Sequence, residues 1–268
     1  PFVDRIVLSF DEDSRSWTGT PLPVAQCLAI VREVDVEGKC VAVPGTYARL
    51  DRDPLENETF QRQAALDAAS VDADWVLQLD TDEVMVDPTA FFAALERADA
   101  AGAGGLDYPA RWLYSRVGPG RYLEQSGVAW RRMASFPGPL AVRAGTRLSL
   151  ARQADVPLHR VDLRRTNTDP WHPRNARVDE VVGADSAVIH FSWVRRPEVI
   201  QRKFGWSGHT EEMKAPPVYR AWAWRTRHPL LTVATSPFRR RLGGWFRLSR
   251  LPEPPGGEPI AVESGVRE

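Results

Sequence analysis

The chain has 268 residues, 43% hydrophobic and 26% charged, which suits one large α/β domain with an appendage, or two small domains, and excludes a globally disordered chain. Lys plus Arg and Asp plus Glu both number 35, so the net charge is zero and no nucleic-acid partner is expected. Two cysteines, Cys27 and Cys40, are too few for a disulfide framework or a cysteine-based zinc site and suit a reducing cytoplasm; no apolar run approaches the ~20 residues of a transmembrane helix, and no signal-peptide pattern is present.

Residues 5–10 read as a short buried strand running into the polar turn Asp11, Glu12, Asp13, Ser14. Residues 23–34 read as a helix with Pro23 near its first turn, and residues 39–43 as a second strand closed by Pro44 and Gly45. Residues 58–69 predict a helix whose apolar stripe is Phe60, Ala64, Ala65, Leu66 and Ala68. Residues 74–79 read as a third strand and residues 88–101 as a helix ending in a Gly-rich turn. This alternation predicts a mostly parallel sheet with flanking helices, and such sheets bind ligands beyond the carboxyl ends of their strands. After Asp107 the pattern turns mixed or antiparallel, with strand-like pieces at 106–113, 128–132, 158–161 and 187–191 and a Pro-containing loop at 166–177 around Trp171. Residues 197–204 and 217–227 read as helices, and the Pro/Gly-rich tail from Pro252 as disordered.

Asp80 and Asp82, past the apolar strand, are candidate ligands for Mn²⁺ or Mg²⁺, which prefer hard oxygen donors and leave room for water and phosphate. Such a cation bridges a nucleotide diphosphate and stabilises it as a leaving group. An acidic, solvated turn is the alternative. Asp11 and Asp13 occupy the equivalent place after the first strand, with a turn-forming role as their alternative.

The helix around Arg62, Ala64, Ala65 and Ala68, followed by Trp75, Val76, Leu77, Gln78, Leu79, Asp80, Thr81, Asp82 and Glu83, resembles the central segment of GT-A glycosyltransferases. It is similar to glycosyltransferase family 2 and to related families whose signature ends in Asp-x-Asp-Glu. The resemblance implies a GT-A type, Rossmann-like α/β fold and a divalent-metal-dependent, inverting transfer from a nucleotide-diphosphate sugar, a UDP-sugar being favoured, to a carbohydrate or lipid-linked acceptor. It implies a metal at Asp80, Asp82 and His190, and nucleotide-sugar contacts from Asp11, Asp13, Arg62, Asp80 and Lys203, with His209 as a further diphosphate contact; the alternatives are a His190 packed at a strand end, an Arg62 facing solvent, and Lys203 and His209 on a solvated helix face. The family's first strand is expected upstream of Pro1. Family 2 often draws its base from a Glu-Asp pair, which is absent from the corresponding region, so Asp169, beside Trp171, is the candidate base.

The expected organisation is a catalytic domain over residues 1–210, a basic, Trp-rich helical appendage over 211–250 and the tail over 251–268. Between Arg220 and Arg250 there is no acidic residue, and Trp222, Trp224, Trp245 and Phe246 are the expected anchors; the pattern suits peripheral contact with the inner face of a membrane or simple packing on the domain. The competing functions are a nucleotidyltransferase-like phosphate enzyme and a catalytically inactive sugar-binding module of the same fold.

Overall fold

The computed structural model describes residues 2–206, 216–238 and 244–251; His209 and the tail from Pro252 lie outside them. The first hundred residues alternate as expected: β1 (Ile6–Asp11), α1 (Val24–Val34), β2 (Cys40–Gly45), α2 (Pro54–Ala69), β3 (Trp75–Leu77), the short β4 (Glu83–Val84) and α3 (Pro88–Ala100). Local chemistry starts the two long helices. Asp53 accepts from the Leu55 N–H ahead of Pro54, and Asp87 from the Ala90 N–H ahead of Pro88, each satisfying a donor that the first turn leaves free.

The second half is strand-rich: β5 (Gly105–Asp107), β6 (Ala110–Gly118), β7 (Arg121–Ser126), β8 (Ala141–Arg143), β9 (Leu148–Leu150), β10 (Gln153–Ala154), β11 (Leu158–Asp162), β12 (Glu180–Val181) and β13 (Val188–His190). Three helices, α4 (Pro197–Trp206), α5 (Pro216–Arg227) and α6 (Pro229–Thr235), precede the last described strand, β14 (Trp245–Arg250).

The result is a mixed α/β fold, which corrects the mostly parallel sheet expected. One five-stranded sheet has the order β12-β11-β5-β8-β3, a second the order β14-β7-β6-β13-β4, and β1 pairs with β2 in a separate parallel ribbon. In the first sheet β8 runs antiparallel to both neighbours, while β3, β5, β11 and β12 share one direction. The alternation of elements carries no sign of β8, a three-residue strand that returns from the second half of the chain and separates β3 from β5. The two large sheets are joined where β3 runs on into β4 and β5 into β6, so the turns at residues 78–82 and 108–109 form a seam.

The main core packs Phe91, Ala94 and Ala98 of α3 on Leu106, Ala141, Val161 and Val188, and a smaller cluster joins Leu66 of α2 to Val76 and Val142. Of the stripe expected of α2 only Leu66 is fully buried: Ala64, Ala65 and Ala68 are partly buried and Phe60 is exposed, and the other inward positions are the polar Asn57 and Glu58, with Arg62 half-buried on the same i, i+4 line as Glu58 and Leu66. Two further expectations change. Residues 128–130 form a 3-10 turn instead of a strand, with Ala129 and Trp130 at φ of 57° and 56°. Residues 245–250 form a strand, not a helix, because the outer edge of β7 offers a full antiparallel ladder from Trp245 opposite Ser126 to Arg250 opposite Arg121. Of the expected anchors, Trp222 and Phe246 are buried, the Trp222 indole donating to the Tyr114 and Trp193 carbonyls. Trp245 lies edge-on to Trp130, and Trp224 stays exposed.

Candidate active site

The turn carrying Asp80 and Asp82 is tied at both ends. The Asp80 N–H donates to Glu83 Oε2 at 3.0 Å, and the Glu83 N–H donates to the Asp80 carbonyl at 2.9 Å. Glu83 is buried and held by Arg152, whose two Nη atoms each donate at 2.8 Å. Arg152 also donates to the Gln78 carbonyl, and the Gln78 side chain to the Pro139 carbonyl. The turn is therefore fixed by a charge pair that sequence spacing does not show.

Asp80 faces α2. Arg62 donates to both of its oxygens, at 2.8 and 3.1 Å, and to Glu58 one turn earlier at 3.0 Å. Burial opposes ionisation of Asp80, but Arg62 outweighs it and lowers the carboxyl below its ordinary value; burial likewise works against the Arg62 charge, and Asp80 and Glu58 raise it overall.

Asp82 faces the second sheet. The register of β13 on β4 sets His190 opposite Glu83, and the Phe191 N–H donates to the Asp82 carbonyl at 2.8 Å. This brings His190 Nε2 to 3.3 Å from Asp82 Oδ1. Arg195 donates to Asp82 Oδ2 at 2.7 Å, and Lys203 Nζ on α4 lies 3.9 Å from the same oxygen while donating to the Ser192 hydroxyl. Burial raises the Asp82 carboxyl, but His190, Lys203 and Arg195 together hold it far below its ordinary value. Burial lowers Lys203 despite Asp82. The His190 ring stands edge-on to Trp112, and its buried Nδ1 has no hydrogen-bond partner among the described residues.

Asp82 Oδ1 and His190 Nε2 are the two groups that could hold a divalent ion, while Asp82 Oδ2 is taken by Arg195. Neighbouring donors in an octahedral shell at about 2.1 Å stand about 3 Å apart, close to the 3.3 Å seen here. Among the described residues no group of three or more His, Cys, Asp or Glu is arranged to hold a metal, so water and phosphate oxygens would supply the remaining positions. Asp80 gives both of its oxygens to Arg62, and Asp82 gives one of its two to Arg195.

Asp11 ends β1 and is buried; its carboxylate accepts from the Asp13, Arg15, Tyr47 and Ala48 N–H groups, so it braces the loop between β2 and α2. Burial raises its carboxyl, and those four donors bring it below the ordinary value. Asp13 is exposed. The β1–β2 ribbon reaches the rest of the site through α2, where Gln61, next to Arg62, donates to the Ser9 carbonyl and accepts from the Trp17 indole. Asp169 does not contact Asp80 or Asp82 and is buried in its own loop.

The structure thus brings together Arg62, Asp80, Asp82, His190 and Lys203, and adds Glu58, Arg152 and Arg195. Glu58 was visible in principle, four residues before Arg62 on one helix face. Arg195 sits in the basic run just after His190. Arg152 carries no local signal. Comparison with protein-family models, curated proteins and solved structures returned no match.

Proposed function

We propose that the chain is a glycosyltransferase that moves a sugar from a nucleotide-diphosphate sugar, a UDP-sugar being favoured, to an acceptor hydroxyl, with Mn²⁺ or Mg²⁺ at Asp82 and His190. The observation that carries this reading is the Asp82–His190 pair, 3.3 Å apart in the turn after β3, with Arg195 and Lys203 against Asp82 and Arg62 against the neighbouring Asp80. An ion held there would supply charge stabilisation to a leaving diphosphate. Arg195 and Lys203 would bind the diphosphate oxygens directly, and Arg62 would hold Asp80 in place or release it to the ligand. The resemblance of the Asp80–Glu83 motif to GT-A enzymes supports the same reading.

The test is turnover of UDP-, GDP- and dTDP-sugars with and without Mn²⁺, beside calorimetry of UDP binding under the same two conditions. Mn²⁺-dependent binding with release of free sugar or transfer supports the proposal. A second reading, a catalytically inactive sugar-nucleotide-binding module, is favoured by the pairing of both carboxylates with arginine. It predicts binding without turnover.

Lipid-linked acceptors would suit a peripheral location, and exposed apolar and basic side chains support that reading. Val128, Leu230 and Phe238 are 71, 72 and 85% exposed. Arg131, Arg220, Arg227 and Arg250 are exposed, and residues 216–251 hold no Asp or Glu. No helix among the described residues is long and apolar enough to cross a membrane.

A further inference from the structure

Asp169, the carboxylate expected to serve as base, is enclosed. It is 3% exposed; Oδ2 accepts from the Phe136 N–H at 3.0 Å and lies 3.0 Å from His172 Nδ1, while Oδ1 accepts from the Trp171 N–H at 2.7 Å. A carboxylate so occupied has little left to offer a substrate hydroxyl. It does fix a histidine. An acceptor at Nδ1 favours the tautomer with its proton there and leaves the lone pair on Nε2. The His172 ring is braced edge-on against Phe136 and keeps 34% of its side chain exposed, beside the exposed indole of Trp171.

The His172 loop and the Asp82 turn lie at the same end of one sheet. Strands β3, β5 and β11 run in one direction, so the turn after β3, Asp107 at the end of β5 and Asp162 at the end of β11 lie along one edge of the sheet. Asp162 starts the His172 loop and anchors it by accepting from the Thr168 N–H at 2.9 Å. Phe136, which donates to Asp169, belongs to the segment entering β8, and Pro139 of that segment accepts from Gln78 at 3.1 Å, two residues before Asp80. Asp107 is buried between the two. Arg160 Nη1 lies 3.6 Å from its carboxylate and stacks over Phe136 at 4.0 Å. Burial pushes Asp107 up to about 6, Arg160 and His172 draw it down, and Asp169 opposes them. Interacting acids and a histidine clustered in this way are candidates for a functional site.

We propose that His172 is the catalytic base of the transfer, with Asp169 as its positioning residue and Trp171 as the platform for the acceptor sugar. This rests on the transferase reading above. His172 Nε2 takes the proton of the acceptor hydroxyl as that oxygen bonds to the anomeric carbon. The bond from this carbon to the diphosphate oxygen breaks, and its electron pair leaves on the nucleoside diphosphate. The imidazolium, held by Asp169, returns its proton to water.

The experiment compares wild type with His172→Ala, His172→Gln and Asp169→Asn. Transfer from UDP-glucose, UDP-galactose, UDP-N-acetylglucosamine and GDP-mannose to methyl glycosides and to water is measured, with UDP–Mn²⁺ affinity by calorimetry as the control for folding and donor binding. Both His172 variants should keep donor affinity and donor KM while kcat falls about 10²- to 10⁴-fold. Added imidazole should restore part of the loss in His172→Ala but none in Asp169→Asn. A wild type that turns over sugar while His172→Ala keeps its kcat overturns the assignment alone. Loss of kcat without imidazole rescue also overturns it, leaving His172 a structural role. A wild type that binds UDP but consumes no donor overturns the transferase reading, and this assignment with it.

Discussion

Arg152 and Glu83 form a two-pronged ion pair, both contacts 2.8 Å, with neither side chain more than 3% exposed. Removing one partner leaves the other charged, buried and alone, which costs about 3–5 kcal/mol. Arg152→Ala and Glu83→Ala should each lower stability by about that amount in denaturant titrations. Because Glu83 also accepts from the Asp80 N–H, both variants should lose Mn²⁺-dependent UDP binding even where they remain folded. Unchanged stability in either variant would show that the pair is not what holds the turn.

Asp82→Ala and His190→Ala should each abolish the Mn²⁺-dependent part of UDP binding, since each removes one of two proposed ligands 3.3 Å apart. Arg62→Ala should leave that part in place, because Arg62 pairs with Asp80. Calorimetry with and without Mn²⁺ checks all three. UDP affinity in Asp82→Ala that still responds to Mn²⁺ as in wild type would remove the metal assignment.

Asp107 links stability to pH. Its folded-state value, about 6, lies above the ordinary 3.8, so the native state binds this proton more tightly than the unfolded chain does. The stability contributed by that proton is present below the unfolded value and is lost as pH rises through about 6. Between pH 4 and 7 wild type should therefore lose on the order of 2–3 kcal/mol relative to Asp107→Asn, whose side chain does not ionise. Denaturant midpoints for both proteins at pH 4, 5.5 and 7 provide the check, and a difference independent of pH would contradict the expectation.

Vesicle sedimentation tests the basic and apolar surface. Binding to vesicles containing phosphatidylserine should exceed binding to neutral phosphatidylcholine and should weaken as salt rises, each arginine at the surface contributing about 1 kcal/mol. Phe238→Ser should reduce binding, since this exposed side chain is available for insertion. Equal, negligible binding to both vesicle types would leave the region a packing element.

By itself the sequence determined the local events. The alternation of strands and helices up to α3 follows from apolar periodicity and from Pro and Asp at the helix starts, and the placement of Asp80 and Asp82 past an apolar strand follows from the same short-range pattern. His190 was legible too, as the end of an apolar run. Tertiary structure alone decided which charge meets which. Arg62 is 18 residues from Asp80, Arg152 is 69 from Glu83 and Arg195 is 113 from Asp82. No periodicity encodes those pairings. They depend on β8 running against its neighbours, on β13 meeting β4 in one register, and on α2 turning its polar Glu58–Arg62 line inward. A short strand joins whichever edge buries its side chains and completes its backbone hydrogen bonds. That choice is made by the assembled sheet, and a three-residue segment such as residues 141–143 carries too little pattern to announce it.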